Sequence, residues 1–77
     1  MPTEISRRIY SIMAREMGHL GKFIVEKQCK DLGINPEEIG NEDVDKVADA
    51  LRKVMVSFSG EEKAKKIWLE IKRLKNE

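Results

Sequence analysis

The 77-residue sequence holds one cysteine, two prolines and only four aromatic side chains, Tyr10, Phe23, Phe58 and Trp68. A single cysteine closes no internal disulfide, so the fold is not a stapled scaffold. Taken with the lack of a secretory leader, it predicts a reducing, cytoplasmic location. So few rings leave Ile, Leu, Val and Met to fill the core. No apolar run approaches the roughly 20 residues that span a bilayer, so no membrane role is expected. Neither sign of charge prevails: 15 basic against 14 acidic side chains leave a net +1, which counts against a generic nucleic-acid binder. One threonine, one glutamine and 38% charged residues fit the Lys/Glu-rich habit of thermophile proteins.

A chain this short makes one domain, residues 1–77, near the lower size limit for a self-sufficient core. Apolar burial and chain entropy nearly cancel at this length, so small domains lean on disulfides, metals or a partner chain. With the first two missing, a homodimer is the expectation.

What the sequence does have is helical periodicity. Thr3 is a candidate N-cap, Glu4 suits a first turn, and Ile5, Ile9, Ile12, Met13 and Met17 recur at helical spacing until Gly18. A second helix runs from His19 or Leu20 to Gly33. Its apolar positions Leu20, Phe23, Ile24, Val25, Cys29 and Leu32 cover roughly two-thirds of the circumference at 100° per residue, which predicts a central helix packed on more than one side. Gly21 fits a close backbone approach. Asn35-Pro36-Glu37-Glu38 is a helix-start signal cut short by Gly40, so a single helical turn is expected near 36–39, with Ile34 and Ile39 as anchors. Asn41 would then cap a third helix, in which Val44, Val47, Ala48, Leu51, Val54, Met55 and Phe58 keep the spacing i, i+3, i+4, i+7. Ser59-Gly60-Glu61-Glu62 reads as a capping box opening a fourth helix with inward Ala64, Ile67, Trp68, Ile71 and Leu74. The expected fold is all-α: a bundle of four helices at about 4–17, 19–32, 42–58 and 60–75.

Motifs for chemistry are thin. Gly18-His19-Leu20-Gly21-Lys22 has neither the glycine spacing nor the Ser/Thr of a phosphate loop. His19 and Cys29, the only residues of their types, build no zinc site, and ten residues of helix set them about 15 Å apart. Cys29 reads as a small buried hydrophobe. Asp31 to Glu42 has the length of a calcium loop, but Gly33 and Pro36 occupy positions where such a loop needs an acid and a glycine. No metal, cofactor or catalytic residue is therefore assigned. Val56 and Leu69 fall off the inward stripes and, together with Tyr10, which widens the apolar face of the first helix, are the expected intermolecular surface. Acids cluster at 37–49 and bases on helix four, a segregation suited to orienting two subunits. Lys22, Lys65, Lys66, Lys72 and Arg73 are the groups placed to contact an anion or nucleic acid, with Arg7, Arg8 and Arg15 beside them.

The pattern Met17-Gly18-His19-Leu20-Gly21-Lys22-Phe23-Ile24-Val25, a helix ending near Phe58, and Glu61-Glu62-Lys63-Ala64 resemble small archaeal all-helical proteins. They are more distantly similar to helical modules appended to bacterial signalling proteins, in which a Gly-Pro-hydrophobic turn opens a comparable helix; His19 stands here in place of the proline. The resemblance implies a regulatory or protein-interaction role and carries over no active-site residue. The leading expectation is a non-enzymatic, self-associating interaction module. The alternatives are a nucleic-acid-associated protein using the basic fourth helix, and an enzyme or ligand carrier with a pocket near His19 and Lys22.

Overall fold

A computed structural model describes residues 1–75, and the description that follows is confined to them. Four α-helices follow one another: α1 (Glu4–Met17), α2 (His19–Leu32), α3 (Val44–Ser59) and α4 (Glu61–Lys72), with a 3-10 turn at Asn41–Asp43 leading into α3. The all-α bundle expected from periodicity is what forms. α1 packs on α2, α2 on α3, α3 on α4, and α4 returns to α1.

Thr3 caps α1 as its side chain predicts, accepting the Ser6 amide at 3.0 Å. The Gly18 and Gly60 corners lie at one end of the bundle, because Lys63 of α4 reaches Glu16 of α1 at 3.5 Å. The other end is tied by hydrogen bonds to the 33–43 connection. Thr3 Oγ1 donates to the Ile39 carbonyl at 2.9 Å, the Ile39 amide donates to Ser6 Oγ at 2.9 Å, and the Thr3 amide donates to the Glu37 carbonyl at 2.9 Å. Ser6 is the one polar residue sealed in the core, and it is there to satisfy a backbone amide that the buried loop cannot expose.

These bonds explain why no helical turn forms at 36–39. The backbone there is committed to α1, and Asn35–Glu38 instead closes a turn in which Asn35 Oδ1 accepts the Glu37 amide at 2.9 Å. The helical turn falls later, at Asn41–Asp43. Asn41 is not the cap of α3: the Gly40 amide donates to the Asp43 side chain at 2.9 Å, and α3 proper begins at Val44. The capping box at Ser59 is also absent. Ser59 completes the last turn of α3, and Gly60, at φ 87°, makes the corner alone, a conformation glycine adopts without steric cost. α4 ends at Lys72, with turns through Lys75.

The larger correction concerns α2. It buries only Gly21, Val25 and Cys29, while Leu20, Phe23 and Leu32 stand exposed. The central element is α3, which buries Val44, Val47, Ala48, Leu51 and Met55 and is packed by both α2 and α4. The rotation of α2 is set by Gly21. A Cβ there would collide with the backbone of Met13, and with Ala14 N at 2.9 Å, so α1 and α2 touch backbone to backbone along this line. Phe23 lies about 200° further round at 100° per residue, which turns it away from the core. Counting apolar residues around the wheel overestimates burial when the closest contact is made through a glycine.

Gly21→Ala is expected to destabilise the fold by about 1–3 kcal/mol through overpacking, although alanine is the better helix former by about 1 kcal/mol. Ser6→Ala should cost about 1–3 kcal/mol by leaving the Ile39 amide unsatisfied. Urea midpoints of the purified variants measure both.

Candidate interaction surface

The apolar surface that the core leaves uncovered is concentrated around the Gly18 and Gly60 corners. Leu20 is 54% exposed, Phe23 63% and Phe58 58%. Both phenylalanines thus lie outside a core of aliphatic side chains. Phe58 continues the inward stripe of α3 but stands past the point where the core ends, so the stripe predicted for that helix is one residue too long.

Side-chain contacts fix which flank of α3 carries Phe58. Asp45, Asp49 and Arg52 of α3 all meet α4. Asp45 pairs with Lys72 at 3.3 Å and Lys75 at 3.0 Å, Asp49 accepts the Trp68 indole N–H at 2.7 Å, and the Arg52 guanidinium lies 4.7 Å from the Trp68 ring centre. Trp68 is therefore half-exposed on the α3–α4 seam, not inside the core. Turned away from that seam are Val47, Val54 and Phe58, spaced seven and four residues apart and so aligned along the flank of α3 toward α2. Val54, together with Ile24 of α2, is half-buried. Leu20 and Phe23 near the start of α2 and Phe58 near the end of α3 thus stand exposed at the same end of the bundle. Lys27 and Lys30 of α2 and Lys46 and Lys53 of α3 are exposed, Lys53 beside Asp49, Arg52 and Val56. Lys27 is paired with Asp31, whereas no carboxylate stands within ion-pair distance of the other three lysines among the described residues.

The residues singled out from sequence do not form one surface. Tyr10 is half-buried against the core and lines an α1–α2 cleft with Arg7, Ser11, Ala14, Lys22 and Glu26. Burial holds its hydroxyl above the ordinary tyrosine pKa. Val56 and Leu69, 36% and 38% exposed, remain on the outside of α3 and α4, Val56 beside Asp49, Arg52 and Lys53. The anion contacts are dispersed as well: Lys22 lies in the Tyr10 cleft, Lys65 and Lys66 are exposed on α4, and Lys72 is held by Asp45 while lying 4.8 Å from the Trp68 ring centre. Arg73 lines an α1–α4 cleft of about 590 Å³ with Arg8 and Arg15. There Arg15 is already engaged, donating to both oxygens of Glu70 at 3.0 and 2.7 Å and to Glu16 at 2.9 Å.

α3 and α4 run antiparallel, so Asp45 at the start of α3 meets Lys72 and Lys75 at the end of α4. Hydrogen bonds from Lys75 and Lys72 hold the Asp45 carboxyl below its ordinary pKa, and Arg15 does the same for Glu70. Arg7 and Arg8 lower Glu4 likewise. Cys29 is sealed in the core, where burial, and secondarily the charge of Asp43, push its thiol up to about 11. It is a packing residue, as read from the sequence, and at neutral pH it holds no thiolate for nucleophilic work. His19 stands exposed beside the Gly18 corner.

Sequence reasoning missed Phe23, Phe58 and Leu20 as surface, assigning all three to the core. The available signal lay in Gly21, whose place on the wheel marks the contact side of α2. No known protein family, curated protein or solved structure matches the chain. No helix of the structure is long and apolar enough to cross a membrane.

Carboxylates whose folded pKa is lowered stabilise the fold fully above the unfolded carboxylate value, near 4, and lose that contribution as pH falls through the lower folded values. The urea midpoint is expected to hold steady from neutral pH to about 5 and to drop below about pH 4. Asp45→Asn should flatten that drop, read from urea unfolding curves across the pH series.

Proposed function

We propose that the protein is a non-enzymatic, cytoplasmic interaction module that works by covering its exposed apolar side chains with another polypeptide chain, and that it self-associates. One observation carries the reading. Six large apolar side chains, Leu20, Phe23, Leu32, Val56, Phe58 and Leu69, stand in solvent on a fold whose buried side-chain polar atoms are all partnered among the described residues. None of the six belongs to the core cluster, and grouped exposed apolar residues serve association. The small core adds to the case, since a second copy supplies burial that a chain of this length lacks. Val56 and Leu69, on the outer side of the α3–α4 pair, are the contact assigned to the second copy. The non-enzymatic reading is supported by the separation of the reactive groups, with Cys29 inside the core and His19 at the surface.

A second reading, nucleic-acid association, is favoured by the convergence of Arg8, Arg15 and Arg73 on one cleft. It ranks lower because Glu70, Glu16 and Glu4 already take up two of the three guanidinium groups.

Sedimentation velocity over micromolar to millimolar concentration is expected to show a monomer–dimer equilibrium that Val56→Ser with Leu69→Ser shifts to monomer. A strict monomer throughout overturns self-association. Salt-dependent binding of DNA or RNA by the wild-type chain, lost in Arg8→Ala with Arg73→Ala, would replace this reading with the second.

A further inference from the structure

We infer that the α1–α2 cleft at Tyr10 binds a small zwitterion whose ammonium and carboxylate stand at opposite ends of a short aliphatic chain. The inference goes beyond the interaction-module reading and concerns a part of the molecule away from Val56 and Leu69.

Two contacts shape the cleft. Gly21 sets α2 against the backbone of Met13 and Ala14, and the Thr3 amide donates to the Glu37 carbonyl. α2 runs from the Gly18 corner to the 33–43 connection, antiparallel to α1. Lys22 therefore stands beside Ala14 at one end of the cleft and Glu37 near Thr3 at the other, with Tyr10 and Glu26 between them. Thr3 and Ala14 are about 16 Å apart along α1, so the cleft is elongated. Its volume is about 470 Å³, within the roughly 300–1,000 Å³ of small-molecule sites. The half-buried Tyr10 and the Ala14 methyl give it an apolar lining.

Charge is divided along the same axis. Lys22 supplies the positive end, and Glu26 and Glu37 the negative one. Both carboxylates lie close enough to Tyr10 to add, after burial, to the upward push on its hydroxyl pKa. Arg7 also lines that end, but it is taken up by Glu4. Lys22 and Glu26 stand one turn apart on α2, the spacing at which opposite charges pair on a helix. Yet neither they nor Glu37 enter an ion pair among the described residues. Half-buried Glu26 has given up part of its hydration without gaining a partner, and a ligand ammonium supplies one. One molecule meets both needs: its ammonium donates to Glu26, Glu37 and the Tyr10 hydroxyl oxygen, while its carboxylate accepts from Lys22. An α-amino acid holds its two charges too close together for this, so the fitting ligand is an ω-amino acid.

Isothermal titration of the full chain with δ-aminovalerate tests the assignment, with pentylamine and valerate as probes that each lack one charge. Saturable binding of one molecule per chain is expected, about tenfold or more tighter than that of either single-charge probe. Glu26→Gln should weaken δ-aminovalerate and pentylamine alike, whereas Lys22→Gln should weaken δ-aminovalerate and leave pentylamine unchanged. Neither side chain belongs to the core, and circular dichroism checks that both variants stay folded. In heteronuclear NMR spectra the largest ligand-induced amide shifts are expected at Ser11, Ala14, Lys22 and Glu26, all beside the cleft. No binding of δ-aminovalerate at millimolar concentration, or shifts centred elsewhere, overturns the site. Equal binding of pentylamine overturns the role of Lys22, and equal binding of norvaline, the α-amino isomer, overturns the separation of charges. Val56→Ser with Leu69→Ser should leave the titration unchanged, so self-association and ligand binding fail in different measurements.

Discussion

The close approach of α1 and α2 at Gly21 is the constraint on which the arrangement of this bundle depends. Because the Met13 and Ala14 backbone occupies the space where a side chain would project, α2 has a single permissible rotation against α1. That rotation sends Val25 and Cys29 inward and Phe23 outward. It follows that α2, whose apolar positions are spread round its circumference, buries fewer of them than its sequence suggests. α3, whose apolar positions form one unbroken stripe, takes the centre instead, and the exposed rings of α2 become surface by geometric necessity.

The second determinant is the polar tie between the start of α1 and the 33–43 connection. Thr3 and Ser6 use side-chain oxygens to satisfy backbone groups around Ile39, which is itself fully buried. A loop drawn into the core this way surrenders local helix formation, because its amides and carbonyls already have partners. The tie also anchors the N-terminus of α1 beside the start of α3, and so holds the bundle closed at the end opposite the two glycine corners. At those corners the ion pairs of Glu16 with Lys63 and Arg15 tie α1 to α4, and Leu20, Phe23 and Phe58 stand exposed to solvent.

Electrostatics divides between fold and surface along the same line. Ion pairs concentrate where α4 meets α1 and α3: Glu70 with Arg15, Glu16 with Lys63, Asp45 with Lys72 and Lys75. These are exposed pairs, each contributing little to stability, yet together they tie α4 to both α1 and α3.

Helix number, type and most boundaries were legible in the sequence because they depend on local signals: Thr3 as cap, Gly18 as stop, and the stripe from Val44 to Met55. The buried roles of Cys29 and Ile39 were legible for the same reason, as isolated apolar residues on an inward line. Ser59 and Asn41 misled because a cap competes with neighbouring alternatives, the Gly60 corner and the Asp43 side chain, and sequence spacing does not decide between them. The fate of Phe23, Phe58 and Tyr10 was decided only in three dimensions. An apolar side chain is core or contact surface according to what stands opposite it, and helical periodicity fixes the direction of a residue from its own axis but not which neighbour occupies that direction.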